Sequence, residues 1–244
     1  GRSADVLLGH SDAEAYLRCP DCHGAVVGRI AGRVNRGRIS VCGTEYALIT
    51  NEPPHHIHGG LQGLGRRLWE VVEADRSSIR LRYESPDGEE GYPGTLGVEV
   101  DYHFTSRSEF RVRMRAVTDH ATPVTLCPHL GFNLSGDPEE SIHDHGVCLF
   151  SHEVLMVEKD LSFTGRSLPV EESACDLNQR TRLGDLLGRL FQQHGDMYRI
   201  QRSRRGDLVP AARLWHSGSG RVVHIATTQP FVQLYTGSRL SGRW

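Results

Sequence analysis

Apolar and polar residues alternate along several stretches of the chain, which is the pattern of β-strands with one face in a core. The clearest runs are 79–83, 98–104 and 110–116. In the last of these, Arg111, Arg113 and Arg115 separate the apolar positions. Because successive side chains of a strand point to opposite faces, the runs 98–104 and 110–116 predict an antiparallel hairpin with one dry and one polar face.

Further strand-like segments are separated by clusters of Gly, Ser and Asp, and one segment has a helical period. The predicted strands are 146–150, 212–215, 222–226 and 231–235. The predicted helix is carried by Leu183, Leu186, Leu187 and Leu190, at the spacing i, i+3, i+4 and i+7. Many short strands favour an all-β fold, a large antiparallel β-sandwich. No repeat or linker divides the sequence, so residues 1–244 are predicted to form a single domain.

The formal net charge of −2 leaves no basic field for a phosphate backbone, so nucleic acid is not expected as a partner. No apolar run is long enough to cross a bilayer, so no membrane partner is expected either. The expected partner is therefore a small or neutral molecule, and the expected assembly is a monomer or weak homodimer.

Six cysteines are scattered through the chain, several of them in apolar strand-like stretches, which favours a reducing cytoplasmic location. The sequence starts without Met and shows no secretory signal. Cys19 and Cys22 form an isolated C-x-x-C, interpreted as an incidental loop with a redox or zinc site as the alternative.

The chain contains 14 histidines, and they cluster around residues 55–58. If this segment is a strand, His56 and His58 project to the same face and make a metal site possible. The nearest acid after them is Glu70, however, and Gly59 and Gly60 interrupt the strand first. A loop that contacts a substrate, without a metal or other cofactor, is therefore the favoured interpretation.

His129 lies between an apolar strand-like run and the segment 130–134, which is also largely apolar. Such a position is partly buried, and the environment can tune an imidazole pKa for proton transfer near neutrality. The alternative is a core histidine whose ring nitrogens bond to backbone groups.

Seven short motifs occur in an order that resembles the aldose 1-epimerase (galactose mutarotase) family along nearly the whole chain. They are Asp5-Val6-Leu7-Leu8-Gly9; Gly28-Arg29-Ile30-Ala31-Gly32-Arg33; His58-Gly59-Gly60 with Arg67-Leu68-Trp69-Glu70; Ser85-Pro86-Asp87-Gly88-Glu89-Glu90-Gly91-Tyr92-Pro93-Gly94; the His129 segment; Gly195-Asp196; and Gln229-Pro230 with Gln233-Leu234-Tyr235-Thr236-Gly237. The resemblance implies the galactose mutarotase-like supersandwich fold and a hexose, such as galactose or glucose, as substrate.

The resemblance also implies roles for individual residues. His129 matches the catalytic histidine, which protonates the ring oxygen of the sugar. Arg33, His58, Asp196 and Gln233 match residues that hydrogen-bond the sugar hydroxyls. A carboxylate general base would take the anomeric proton, the ring would open, and closure after rotation would give the other anomer.

The family carries that base on a Glu downstream of the segment that ends at Gly237, and no Glu occupies that place before Trp244. We therefore expect a chain that lacks the family's N-terminal strands and C-terminal catalytic segment, with impaired activity and exposed sheet edges. Departures within the motifs, at Gly32, Pro128 and Gly131, also put sugar affinity in doubt. The alternative functions are a non-catalytic carbohydrate-binding protein and a metal-dependent β-sandwich enzyme.

Overall fold

A computed structural model describes residues 3–18, 21–173, 176–188, 195–238 and 240. Cys19, Cys175, Leu190 and Trp244, which entered the sequence analysis, lie outside the described residues. The chain divides into two compact units, Asp12–Leu130 and Gly131–Trp244, and the second also includes Gly1–Ser11.

The Asp12–Leu130 unit contains one described α-helix and a series of short and long strands. They are α1 (Ala13–Arg18), β1 (Val26–Val27), β2 (Arg33–Val34), β3 (Arg38–Val41), β4 (Thr44–Ala47), β5 (His56–Ile57), β6 (Glu70–Ala74), β7 (Ser78–Ser85), β8 (Leu96–Phe104), β9 (Phe110–Thr118) and β10 (Cys127–Pro128). Strands β6-β7-β8-β9 form a four-stranded antiparallel sheet in that order, and β1 with β10, β2 with β5 and β3 with β4 form antiparallel pairs.

The core of this unit lies on the apolar face of the four-stranded sheet. Leu96, Val98 and Val100 are fully buried on β8, and they pack with Val26 and Leu64. The intervening Glu99 and Asp101 point to the other face, where they pair with arginines of β7. The predicted hairpin of 98–104 and 110–116 is confirmed, since β8 and β9 pair without interruption along their whole length.

The Gly131–Trp244 unit contains two further antiparallel sheets. Its described elements are β11 (His145–Leu149), β12 (Ser151–Val157), β13 (Phe163–Pro169), β14 (Thr181–Arg182), α2 (Leu183–Leu186), β15 (Asp196–Ile200), β16 (Val209–His216), β17 (Val222–Thr227) and β18 (Phe231–Leu234). The sheets have the orders β14-β11-β16-β17 and β13-β12-β15-β18. The core includes Val147, Val154 and Tyr198, with Leu183 and Leu186 of α2 packed on it.

The all-β prediction is confirmed, while both helices differ from expectation. The predicted helix at 183–190 is shorter, because α2 ends at Leu186. Helix α1 was not predicted, since none of its residues is buried and it has no apolar stripe. Local interactions hold it instead: the Asp12 carboxylate accepts a hydrogen bond from the Ala15 amide, and Glu14 pairs with Arg18 one turn away. Neither described helix is long and apolar enough to cross a membrane.

Candidate active site

A backbone of unusual conformation places His58 beside Arg33. Strands β2 and β5 pair Arg33 with Ile57, so the next residue, His58, leaves the ladder close to Gly32. His58 has a φ of 52°, and Gly59 and Gly60 follow with φ of 88° and 100°. A Cβ at Gly59 would lie 1.5 Å from the Gly28 carbonyl oxygen, so the tight approach of these two segments requires glycine.

The alternative of a His-x-His strand is wrong, because the strand ends at Ile57 and His58 adopts a left-handed conformation. Both ring nitrogens of His56 have protein partners, the Ile49 carbonyl at 2.7 Å and the Tyr92 hydroxyl at 2.6 Å. Among the described residues, no group of three or more His, Cys, Asp or Glu side chains is arranged to hold a metal ion. The Tyr92 and Ile49 contacts make His56 a structural residue.

Two hydrogen bonds between His58 and Gly32 orient the His58 ring. The Gly32 amide donates to His58 Nδ1 at 3.1 Å, and the His58 amide donates to the Gly32 carbonyl at 3.1 Å. Since Nδ1 is an acceptor, the proton of the neutral ring resides on Nε2. Gly32 has no side chain to offer a ligand, but its backbone positions the imidazole.

His129 reaches the same place from the other end of this unit. Strands β1 and β10 pair Val26 with Pro128, and the ladder continues because the His129 amide donates to the Ala25 carbonyl and the Gly24 amide to the His129 carbonyl, each at 2.8 Å. Pro128 therefore sits in the ladder without interrupting it. The His129 and His58 rings meet edge to face, with centroids 5.6 Å apart.

Burial favours the neutral form of both imidazoles. Burial, followed by the nearby His129 and Arg33, lowers the pKa of His58 to about 4. Burial also lowers the pKa of His129, whereas its own backbone and Asp21 act in the opposite direction. A neutral imidazole both donates and accepts a hydrogen bond, so the two rings together suit a ligand rich in hydroxyl groups.

Arg33 is held by a two-point ion pair with Glu52. Its Nε lies 2.5 Å and its Nη2 2.8 Å from the two carboxylate oxygens. The Arg33 side chain is 10% exposed and that of Glu52 38%, so the pair is partly shielded from water. This geometry fixes the plane of the guanidinium and balances its charge.

A second carboxylate, that of Glu90, fixes the loop after His58. Its two oxygens accept hydrogen bonds from the backbone amides of Leu61 and Gln62, at 3.0 and 2.8 Å. The segment that carries Glu90 is anchored in turn by Arg29, which is 2% exposed and donates to backbone carbonyls of residues 85, 86, 93 and 94. Arg29 and Glu90 therefore connect two of the sequence motifs physically.

Asp196 and Gln233 lie in the other unit, on the neighbouring strands β15 and β18. The register pairs Asp196 with Leu234, and Met197 with Gln233. Asp196 is 3% exposed, whereas Gln233 is exposed. Strict alternation assigns the two side chains to opposite faces of the strand pair, although Asp196 is the first residue of its strand. Arg33, His58 and His129 are thus brought together in one unit, and Asp196 and Gln233 are neighbours along the strands of the other.

Glu52 and Glu90 were not predicted as contributors to the site. Glu52 precedes His58 in the sequence, whereas the acidic partner expected for a metal site would follow the histidines. Glu90 lies 32 positions after His58 in the sequence, and no local pattern reveals that its carboxylate returns to the His58 loop. The Asn51-Glu52-Pro53-Pro54 run before the histidines was the available signal for Glu52.

Comparison with known proteins assigns this chain to a family. The aldose 1-epimerase family model matches residues 1–243, and the chain therefore belongs to that family. The human galactose mutarotase is 39% identical over 242 residues, which is 99% of this chain and 70% of the human protein. The aldose 1-epimerase of Escherichia coli K12 is 28% identical over 256 residues, covering 99% of this chain and 71% of that protein.

Solved structures agree with the fold. An aldose epimerase homologue from C. elegans superposes with a TM-score of 0.88 at 24% identity, covering 96% of this chain and 71% of that chain. Galactose 1-epimerase from Lactobacillus acidophilus NCFM gives 0.83 at 25% identity, with coverage of 98% and 71%. The galactose mutarotase fold expected from the sequence is confirmed.

Proposed function

We propose that the chain is an aldose 1-epimerase that interconverts the α and β anomers of hexoses such as galactose and glucose. The observation that supports this most is the edge-to-face pair of His58 and His129 beside Arg33. Three groups that hydrogen-bond hydroxyl oxygens, one of them able to carry a proton, suit an acid-catalysed opening of a pyranose ring.

In the proposed mechanism the protonated form of His129 gives its proton to the ring oxygen as the bond between that oxygen and the anomeric carbon breaks, and the transfer leaves the neutral imidazole that burial favours. A carboxylate removes the proton of the anomeric hydroxyl, the open aldehyde rotates, and closure with the roles reversed forms the other anomer. His58 donates from Nε2 to a sugar oxygen, and Arg33 donates from the guanidinium that Glu52 orients. We assign further sugar contacts to Asp196 and Gln233, and treat residues 1–244 as one functional domain.

The general base is the open element of this proposal. No glutamate follows Glu172 in the 244 residues, whereas the family places its base in the C-terminal part. We expect a polypeptide of these residues to accelerate mutarotation weakly, because each of the two proton transfers contributes about 10²–10⁴-fold to rate. Carbohydrate binding without turnover is the second candidate function, and the hydrogen-bonding groups of His58, His129 and Arg33 support it equally.

Polarimetry of freshly dissolved α-D-galactose tests the assignment of His129. We expect a small acceleration over the uncatalysed rate that is lost in His129→Gln and retained in His103→Gln, a matched change of an exposed histidine on β8. Added acetate should raise the rate of the wild-type chain, after subtraction of its effect on free sugar, since it supplies the missing base. It should not rescue His129→Gln.

Acceleration that survives His129→Gln would contradict the acid role. Binding of galactose by isothermal titration, with no acceleration even in acetate, would favour the carbohydrate-binding function instead. Absence of both binding and acceleration would refute both functions for this polypeptide.

We also infer a cytoplasmic location and a hexose as the small-molecule partner. Cys42, Cys127 and Cys148 are free thiols, and free thiols persist in a reducing compartment. Labelling of these thiols in freshly lysed cells tests the inference, which disulfide formation among them would contradict.

A further inference from the structure

The polar face of the β6-β7-β8-β9 sheet carries two rows of alternating charge that run across the strands. One row contains Glu70, Arg82, Glu99 and Arg115, which are cross-strand partners in that order. The second row contains Glu73, Arg80, Asp101 and Arg113. Each row begins with a carboxylate on the edge strand β6 and ends with a guanidinium on the edge strand β9.

The inner members of these rows are engaged in ion pairs. Arg82 lies 2.7 Å from Glu99, and Arg80 lies 2.6 Å from Asp101 and 3.3 Å from Glu73. The outer arginines differ, because no carboxylate of the described part of the chain forms an ion pair with Arg113 or Arg115. Both are exposed, as is every residue of β6. Each row therefore ends on β9 with an arginine that forms no ion pair with a described carboxylate.

The opposite face of the sheet has the same continuity. Its rows are apolar: Val71, Leu81, Val100 and Met114 are cross-strand partners, and so are Ala74, Ile79, Tyr102 and Val112. Val71, at the acidic edge, is 57% exposed. A strand added beside β9 would extend both faces if it presented carboxylates on one side and small apolar residues on the other.

We propose that β9 binds the β6 strand of a second copy of this chain. Antiparallel addition in the existing register places Arg115 opposite Glu70 of the second copy, and Arg113 opposite its Glu73. The bulge between Val71 and Glu73 is accommodated by the same one-residue offset that β6 already has against β7. Met114 then meets Val71 of the second copy on the apolar face.

Pairing of like edges is disfavoured by the same charges. A two-fold β9–β9 contact sets arginines against arginines, and a β6–β6 contact sets glutamates against glutamates, and like charges opposite each other destabilise a sheet. The edge charges thus oppose symmetric association, as charges on edge strands commonly do, but they permit association of unlike edges. That association runs head to tail and therefore leaves one edge of each kind available at its ends.

Sedimentation equilibrium over a wide concentration range tests the proposal. In low salt the average mass should rise above the 27.2 kDa of one chain, and high salt should reverse the rise because exposed ion pairs are screened. Reversal of the charges at one edge should weaken association by roughly tenfold or more, since attraction becomes repulsion in both rows. The two variants that test this are Glu70→Arg/Glu73→Arg and Arg113→Glu/Arg115→Glu.

An equimolar mixture of the two double variants should regain association, because each supplies the charges that the other needs at the shared edge. Arg204→Glu/Arg205→Glu is the control for the arginine reversal, since it changes the net charge by the same amount at exposed positions of the other unit. Far-UV circular dichroism checks that every variant folds. If Glu70→Arg/Glu73→Arg does not fold, Glu70→Gln/Glu73→Gln replaces it and should weaken association to a smaller extent. A wild-type chain that remains monomeric, an association insensitive to the edge variants, or a mixture that fails to associate would each overturn the proposal.

Discussion

Replacement of the buried Arg29 by methionine should destabilise the Asp12–Leu130 unit by about 4 kcal/mol. The Arg29 guanidinium donates hydrogen bonds of 2.8–3.0 Å to four carbonyl oxygens, those of residues 85, 86, 93 and 94, and to the Ser85 hydroxyl. Each buried acceptor left without a partner costs about 1–3 kcal/mol. The lower value is appropriate because turn carbonyls can rotate toward water, and four such losses amount to about 4 kcal/mol.

Urea unfolding followed by circular dichroism measures this loss, with Arg38→Met as the matched control. Arg38 lies on the edge strand β3, is exposed, and its side chain has no ion pair among the described residues. The control should therefore leave the unfolding midpoint almost unchanged. If Arg29→Met lowers the midpoint no more than Arg38→Met does, the carbonyls of this segment do not depend on Arg29 and the reasoning is wrong.

Two other substitutions test the local structure around the site. Gly59→Ala should destabilise the chain by clearly more than about 1–2 kcal/mol, the usual cost of a left-handed non-glycine residue, because its Cβ would overlap a carbonyl oxygen. Gly43→Ala is the control and should cost only that amount, because Gly43 has a φ of 82° and open space around it. Equal shifts of the melting temperature in the two variants would contradict the close approach at Gly59. The pKa of His58 in the folded chain is about 4, below the ordinary 6.5, so protons favour the unfolded chain increasingly as the pH falls from 6.5 toward 4. The free energy of unfolding should therefore decrease over this range, and it should decrease less in His58→Gln. Urea midpoints at both ends of that window measure the slope, and an unchanged slope in the variant would show that His58 is not its source.

The long strands were predictable from the sequence because local pattern and tertiary environment agree there. In β8, apolar residues alternate with Glu99 and Asp101, and the structure buries the former and pairs the latter with arginines. The two-residue strands β2, β5 and β10 were not predictable. Two residues carry no period, and their pairing depends on segments that are distant in the sequence.

The residues proposed to hydrogen-bond the sugar were predictable from the sequence, but the carboxylates and backbone conformation that hold them in place were not. Arg33, His58 and His129 were identified through motif order, and the structure brings them together. Glu52 and Glu90 were missed because a carboxylate that binds a guanidinium or two backbone amides leaves no periodic mark in the sequence. The left-handed conformation of His58 was missed as well, since a non-glycine residue adopts it only where the surrounding structure imposes it.

The charge balance at the site bears on which ligand the proposed function requires. Burial favours the neutral form of both imidazoles, and the Arg33 guanidinium beside them is matched by the Glu52 carboxylate. An anionic ligand would have to compete with Glu52 for Arg33, and Asp21, which acts electrostatically on His129, would oppose it. A neutral pyranose meets neither cost, because its hydroxyls hydrogen-bond to the imidazoles and the guanidinium without displacing the ion pair. The same balance argues against Glu52 as the base of the proposed mechanism: it is committed to Arg33, and its loss as a partner would leave that guanidinium partly buried and uncompensated.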